Sequence, residues 1–273
     1  MRDFVNSGER IVKDYSIITE VPGVGASREQ LLRLQQRYQV AAGFCSQKKV
    51  LEVACGAGIG LGYLAKNASL VVGGDYTDSL VRIARNHYRG RLDVVQLDGH
   101  ALPFGDASFD TIILFEALYY FQDPNQFVQE CRRILARDGT LVICSVNNEW
   151  PEFNPSPHNT VYYSGPELCS LLNANGFQTE LFGAFSTASN SLLGKAVSLL
   201  KRIAVTLHLI PRSMKGKELL KRIFFGRLVS LPAELGVPVE EIPQITPILA
   251  SDPTAEYKVL YAIGHLPGCG NME

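Results

Sequence analysis

Residues 50–60, Val50-Leu51-Glu52-Val53-Ala54-Cys55-Gly56-Ala57-Gly58-Ile59-Gly60, form an apolar run with an embedded acid that breaks into a glycine-rich turn. Glycines at 56, 58 and 60 remove the Cβ atoms that would keep a ligand off the backbone, so a strand ends at Ala54 or Cys55 and the turn is open to a nucleotide-like ligand. Leu61, Leu64 and Ala65 then begin a helix whose N-terminal amides point toward whatever lies on the loop. The G-x-G-x-x-G dinucleotide fingerprint fails here: counted from Gly56 its third glycine position holds Leu61, and counted from Gly58 it holds Tyr63.

With Glu52 four residues before Gly56, the segment resembles motif I of the class I S-adenosylmethionine-dependent methyltransferases. One departure is Ala54, which stands where that family usually has glycine. Later segments continue the resemblance in order. Asp75, 17 residues after Gly58, closes a second strand at the position where the family chelates the two ribose hydroxyls. Asp98, in Asp98-Gly99-His100-Ala101-Leu102-Pro103-Phe104 after a third strand, matches the acid that hydrogen-bonds the adenine amino group. Arg37-Tyr38 resembles a pair just upstream of motif I in bacterial methyltransferases acting on sugars or surface polysaccharides, where the tyrosine closes over the cofactor carboxylate; a surface Arg beside a packing Tyr is the other reading. The resemblance thus implies S-adenosyl-L-methionine as cofactor, held by Tyr38, Glu52, Ala54, Gly56 and Gly58 on one side and by Asp75, Tyr76, Asp98, Gly99, His100 and Phe115 on the other.

A sulfonium methyl is already activated, so the chemistry asked of the chain is positioning for in-line displacement, on the order of 7 to 11 kcal/mol, plus removal of a proton if the acceptor is a hydroxyl. Candidate bases are Glu116 after the fourth strand and Glu149 or His158 in the loop after the fifth, with His158 first because an imidazole titrates near neutral pH. Tyr119, Tyr120, Trp150, Phe153, Tyr162 and Tyr163 are candidates for a substrate floor or for core. The preferred acceptor is a hydroxyl of a sugar, glycolipid or secondary metabolite. Carbon or nitrogen methylation of a lipophilic small molecule, and a cofactor-binding partner protein without turnover, are the alternatives.

The elements that must position these residues follow from periodicity and turn chemistry. A helix over 27–45 starts at Ser27 with Gln30 completing a capping box, and Asp123-Pro124 caps another with Phe127, Cys131, Ile134 and Leu135 on its apolar face. Buried strands are predicted over 69–74, 92–97, 109–115, 139–146 and 177–185, with the last at 257–264. The family's fold is α/β, a doubly wound, mostly parallel seven-stranded sheet in order 3-2-1-4-5-7-6 with the last strand antiparallel. The chain accordingly divides into an N-terminal helical cap (1–44), a cofactor domain (45–185 plus 256–265) and an insertion before the last strand (186–255).

That insertion carries nine Lys or Arg and one acid, Glu218, between Lys195 and Arg227, within a chain of net charge −1. Polar positions 191, 195, 198, 202 and 206 form a stripe opposite Leu192, Ala196, Leu199, Ile203 and Leu207, and a similar pattern follows over 217–231. Two basic amphipathic helices there fit a substrate lid, a surface for anionic lipid headgroups, or a homodimer contact, but not a membrane span. Nucleic acid is not expected as a partner, since the basic stretch is leucine-rich and lacks interleaved aromatics. Six cysteines without a C-x-x-C pair and an N-terminus with six charges before residue 16 predict reduced thiols in a cytoplasmic protein, and five scattered histidines predict no metal site.

Overall fold

A computed structural model describes residues 14–155, 161–187, 228–236 and 241–268. The elements in chain order are β1 (Gly25–Ala26), α1 (Arg28–Ala42), β2 (Lys49–Val53), α2 (Leu61–Leu64), β3 (Leu70–Asp75), α3 (Asp78–Tyr88), β4 (Asp93–Gln96), β5 (Phe109–Phe115), α4 (Pro124–Ile134), β6 (Leu135–Val146), α5 (Gly165–Ala174), β7 (Gln178–Ser186), β8 (Val229–Ser230), β9 (Thr246–Ile248) and β10 (Tyr257–His265). Ser27 caps α1 with the expected reciprocal bonds to Gln30, and Asp123 accepts the Gln126 amide proton at 3.0 Å to start α4.

The main sheet runs β4-β3-β2-β5-β6-β10-β7-β9, parallel except for β10 and β9. Its first seven strands keep the expected order, with β10 inserted antiparallel between β6 and β7. The eighth, β9, corrects the expected count of seven. It comes from the tail of the 186–255 segment and pairs with β7 through Leu181, Phe182 and Gly183. Pro247 lies within it, which an edge strand tolerates because no amide proton is needed on the open side. The described part of that segment therefore contains strands and no helix, whereas both basic amphipathic stretches fall at 191–227, outside the described residues.

Alternate residues of the central strands feed two cores. Val50, Ile113 and Val142 face α1 and α3, while Leu51, Ile112, Leu114 and Ile143 face α4 and α5, so both faces of the parallel sheet are covered. The order reverses beside β2, which has β3 on one side and β5 on the other, and ligands of such sheets bind outside the carboxyl ends of the strands at that point. Residues 15–20 turn back across that end. Residues 228–236 tie down beside α2 and α3 through β1–β8 pairing, the Leu235 amide to Ile59 carbonyl bond at 2.8 Å, and Glu234 against His87 and Arg91. Among the described residues no helix is long and apolar enough to cross a membrane.

Candidate active site

The glycine turn leaves β2 through Ala54 and Gly56, both in the left-handed region at φ +58°. That conformation aims the Gly56 amide at Asp75, whose Oδ2 accepts it at 2.8 Å while Oδ1 accepts the Thr77 amide at 2.8 Å. Gly60 serves a close approach instead: a Cβ there would fall inside the Tyr38 ring. Gly58, expected at the cofactor, is not among the residues that line the cavity. It is packed toward Ala84 and Tyr88 of α3, and its carbonyl accepts the Tyr88 hydroxyl at 2.7 Å. The helix expected after the turn is a single turn, α2.

Ala54 holds a left-handed conformation that costs an L-residue about 1–2 kcal/mol, and glycine would lose part of that gain to its larger unfolded-state entropy. Ala54→Gly is thus expected to stabilise the fold by roughly 0.5–1 kcal/mol, a rise of about 2 °C in Tm by calorimetry. No change or a loss would show that the turn is not strained there.

Beside the turn lies a cavity of about 620 Å³. At its inner wall the Tyr38 hydroxyl donates to Glu52 Oε1 at 2.6 Å, and Glu52 Oε2 is buried with no hydrogen-bond partner. Burial pushes the Glu52 carboxyl up to about 8, against the Tyr38 hydrogen bond and the charge of Arg37. Arg37, one residue before Tyr38, also lines the cavity, pairs with Glu20 at 2.8 Å and keeps a buried Nε–H without a partner. Burial opposes its charge, but the carboxylates of Glu20 and Glu116 outweigh that and hold it protonated. One wall therefore carries an unmatched acid oxygen and an unmatched guanidinium proton, the complement of the ammonium and carboxylate of an amino-acid group.

The outer wall is suited to a nucleoside. Ala54, Gly56 and Asp75 line it together with Tyr76, Asp98, Gly99, His100 and Phe115. Asp98 Oδ1 accepts both the backbone amide (2.9 Å) and Nδ1 (2.8 Å) of His100, and the His100 ring stacks near Phe121 at 5.2 Å. The Tyr15 ring lies 6.3 Å from Tyr76 and 5.2 Å from Tyr120, so the N-terminal segment roofs the cavity. Tyr15, Thr19 and Glu20 escaped the sequence reading as site residues, and Arg37 was singled out only as the neighbour of Tyr38. Residues 15–20 form a short turn with no periodicity, and only Tyr15 and Glu20 in it carry side chains that would draw notice.

The three candidate bases separate. Glu116 lines the cavity, in a left-handed conformation at φ +50°, with Oε2 accepting the Tyr119 hydroxyl at 3.0 Å and the Val146 amide at 3.1 Å. Burial raises its carboxyl above the ordinary range despite the opposing charge of Arg37. Glu149 lies outside the cavity lining, and its carboxylate is engaged by the Thr254 hydroxyl because the loop after β6 folds back toward the start of β10. His158 lies outside the described residues. Of the expected substrate floor, Tyr119 and Tyr120 line the cavity, Tyr162 and Phe153 stack behind Tyr119, and Trp150 lies elsewhere.

A methyltransferase-domain family model matches residues 51–143, the stretch from motif I through β6. A Mycolicibacterium smegmatis protein described as "Probable S-adenosylmethionine-dependent methyltransferase" is 32% identical over 166 residues, covering 59% of this chain and 63% of its own length. A "Ubiquinone biosynthesis O-methyltransferase" of Histophilus somni is 32% identical over 123 residues, 42% of this chain and 51% of that protein. The chain thus spans less than two thirds of these relatives. In fold it is similar to the crystal structure of a SAM-dependent methyltransferase from Archaeoglobus fulgidus, at TM-score 0.52 and 17% identity over 88% of this chain and 95% of that one. The family model, the relatives and the cavity built from an acid-bearing glycine turn and an acid ending β3 coincide on one region, and residues 51–143 make up a methyltransferase domain similar to those of S-adenosylmethionine-dependent methyltransferases.

Proposed function

We propose that the protein transfers a methyl group from S-adenosylmethionine to a hydroxyl of a small-molecule acceptor of the sugar, glycolipid or secondary-metabolite class, with Glu116 as general base. The observation that carries this reading is a buried carboxylate with a raised pKa on the wall of the cofactor cavity. When bound, the cofactor supplies a methyl on a positively charged sulfur. Glu116 would receive the proton of an acceptor hydroxyl placed against that methyl. Tyr119 and the Val146 amide orient Glu116 through their hydrogen bonds to Oε2, and the Arg37 charge opposes the upward push of burial on its carboxyl. Tyr15 and Tyr120, across the mouth, limit water near the reacting atoms. The quinone O-methyltransferase similarity agrees with oxygen as the acceptor atom.

Glu116→Gln keeps the acceptor oxygen for Tyr119 and Val146 but cannot take a proton. Turnover is expected to fall about 100-fold or more with S-adenosylhomocysteine affinity within threefold of wild type. Wild-type turnover should rise with pH as Glu116 ionises, and the variant should lose that limb. A variant with wild-type rate would move the base to His158 or, if that too were dispensable, replace the hydroxyl acceptor by carbon or nitrogen.

A further inference from the structure

One turn before Arg37 on α1, Arg33 lies outside the cavity lining and serves none of the roles above. Its guanidinium carbon sits 5.6 Å from the centroid of the Trp150 ring and 5.4 Å from that of Phe185, within the range where ring faces attract a cation. Lys258, at the start of β10, brings a second cation 5.5 Å from the same Trp150 ring. Both cations bond one carboxylate oxygen, Glu29 Oε1, Lys258 from 2.9 Å. The Arg33 Nε–H is buried and has no hydrogen-bond partner. With side-chain exposures of 23% and 19%, the two cations are largely withdrawn from water yet share a single acid.

An uncompensated positive charge between aromatic walls, with part of a planar donor fork unused, is complementary to a carboxylate or phosphate. Backbone strain points to the same place. Phe185 is held at φ +55°, a left-handed conformation that is unfavourable for a bulky residue and persists only where its surroundings impose it. The location suits an acceptor. Arg33 and Arg37 are one helical turn apart, about 6 Å along the axis. Trp150 follows β6 and Phe185 lies near the end of β7, at the carboxyl edge that also carries Glu116. The Arg33 charge is near enough to pull on the Glu116 carboxyl.

We propose that Arg33 and Lys258, walled by Trp150 and Phe185, bind an anionic group of the methyl acceptor, a carboxylate or a phosphate. That the ligand is the acceptor rests on the methyl-transfer reading; that the site takes an anion does not. The acceptor is then an acid or a phosphorylated compound, and a neutral sugar or quinone is a poor fit.

Trp150 is the single tryptophan of the chain, so intrinsic fluorescence reports this site directly. The full chain is titrated with benzoate, phenyl phosphate and the neutral isostere benzamide. At least one anion should quench saturably and bind tenfold or more tighter than benzamide, with affinity falling as salt is raised. The preferred anion separates carboxylate from phosphate. Arg33→Gln should lower anion affinity at least tenfold, with S-adenosylhomocysteine affinity unchanged by calorimetry. Lys258→Met, on β10 and not on α1, should move it the same way if Arg33→Gln folds poorly. Benzamide binding as tightly as both anions, or anion affinity unchanged in Lys258→Met, overturns the proposal. Anion binding without cofactor binding would support the subsite and sink the methyl-transfer reading, whereas cofactor binding without anion discrimination would do the reverse.

Discussion

Glu52→Gln is expected to change two properties in opposite directions. Burial raises the Glu52 carboxyl from 4.5 to about 8 in the folded protein, so its contribution to stability is fully present below pH 4.5 and is lost as pH rises through 8. Above pH 8 the wild-type protein holds an ionised carboxylate with Oε2 unpaired, and glutamine removes that charge while still accepting from Tyr38. The cofactor-free variant should therefore be more stable than wild type at pH 9, by on the order of 3 kcal/mol, with the difference vanishing near pH 5. Cofactor binding should suffer. A ligand ammonium beside Glu52 needs the ionised form, so wild-type affinity should fall about tenfold per pH unit below 8, and Glu52→Gln should lose about 100-fold at pH 8 and most of the pH dependence. Thermal unfolding at the two pH values and calorimetric titration of S-adenosylmethionine check both. A variant less stable than wild type at pH 9, or equal pH profiles for binding, would remove Glu52 from the ammonium site.

Asp75→Ala should weaken cofactor binding at least 100-fold. Each hydrogen bond from a ligand hydroxyl to this carboxylate contributes roughly 1.5–3 kcal/mol, and a ribose offers two. The substitution also releases the Gly56 and Thr77 amides, so the glycine turn loses the acid that holds it against β3. A 2′-deoxy cofactor analogue separates the effects. It should bind wild type more weakly than the parent does, and the two should bind Asp75→Ala alike. An analogue that discriminates equally in both proteins would place the ribose elsewhere.

Much of this arrangement is written locally. Ser27 with Gln30, and Asp123 with Pro124, mark helix starts because side-chain oxygens must satisfy orphan amides, and such bonds span only three residues. The strands are legible as uninterrupted apolar runs that only a sheet covered on both faces can bury, whereas their order was implied by the family resemblance. Glu52, Asp75 and Glu116 could be named as candidates because each stands at or beside the carboxyl end of a strand. Tertiary structure decided what spacing cannot express. Gly58 and Gly60 are two residues apart, yet one packs on α3 and the other lies beneath Tyr38, because the turn rotates between them. Glu116 and Glu149 are equally acidic in sequence, and only the fold of the loop after β6 sends Glu149 to Thr254. Residues 15–20 and β9 reach their places through long-range contacts, with no local pattern of their own. The Arg33, Trp150, Phe185 and Lys258 cluster joins four elements spread over most of the chain. Its charge balance exists only once burial has withdrawn water from two cations that share one acid.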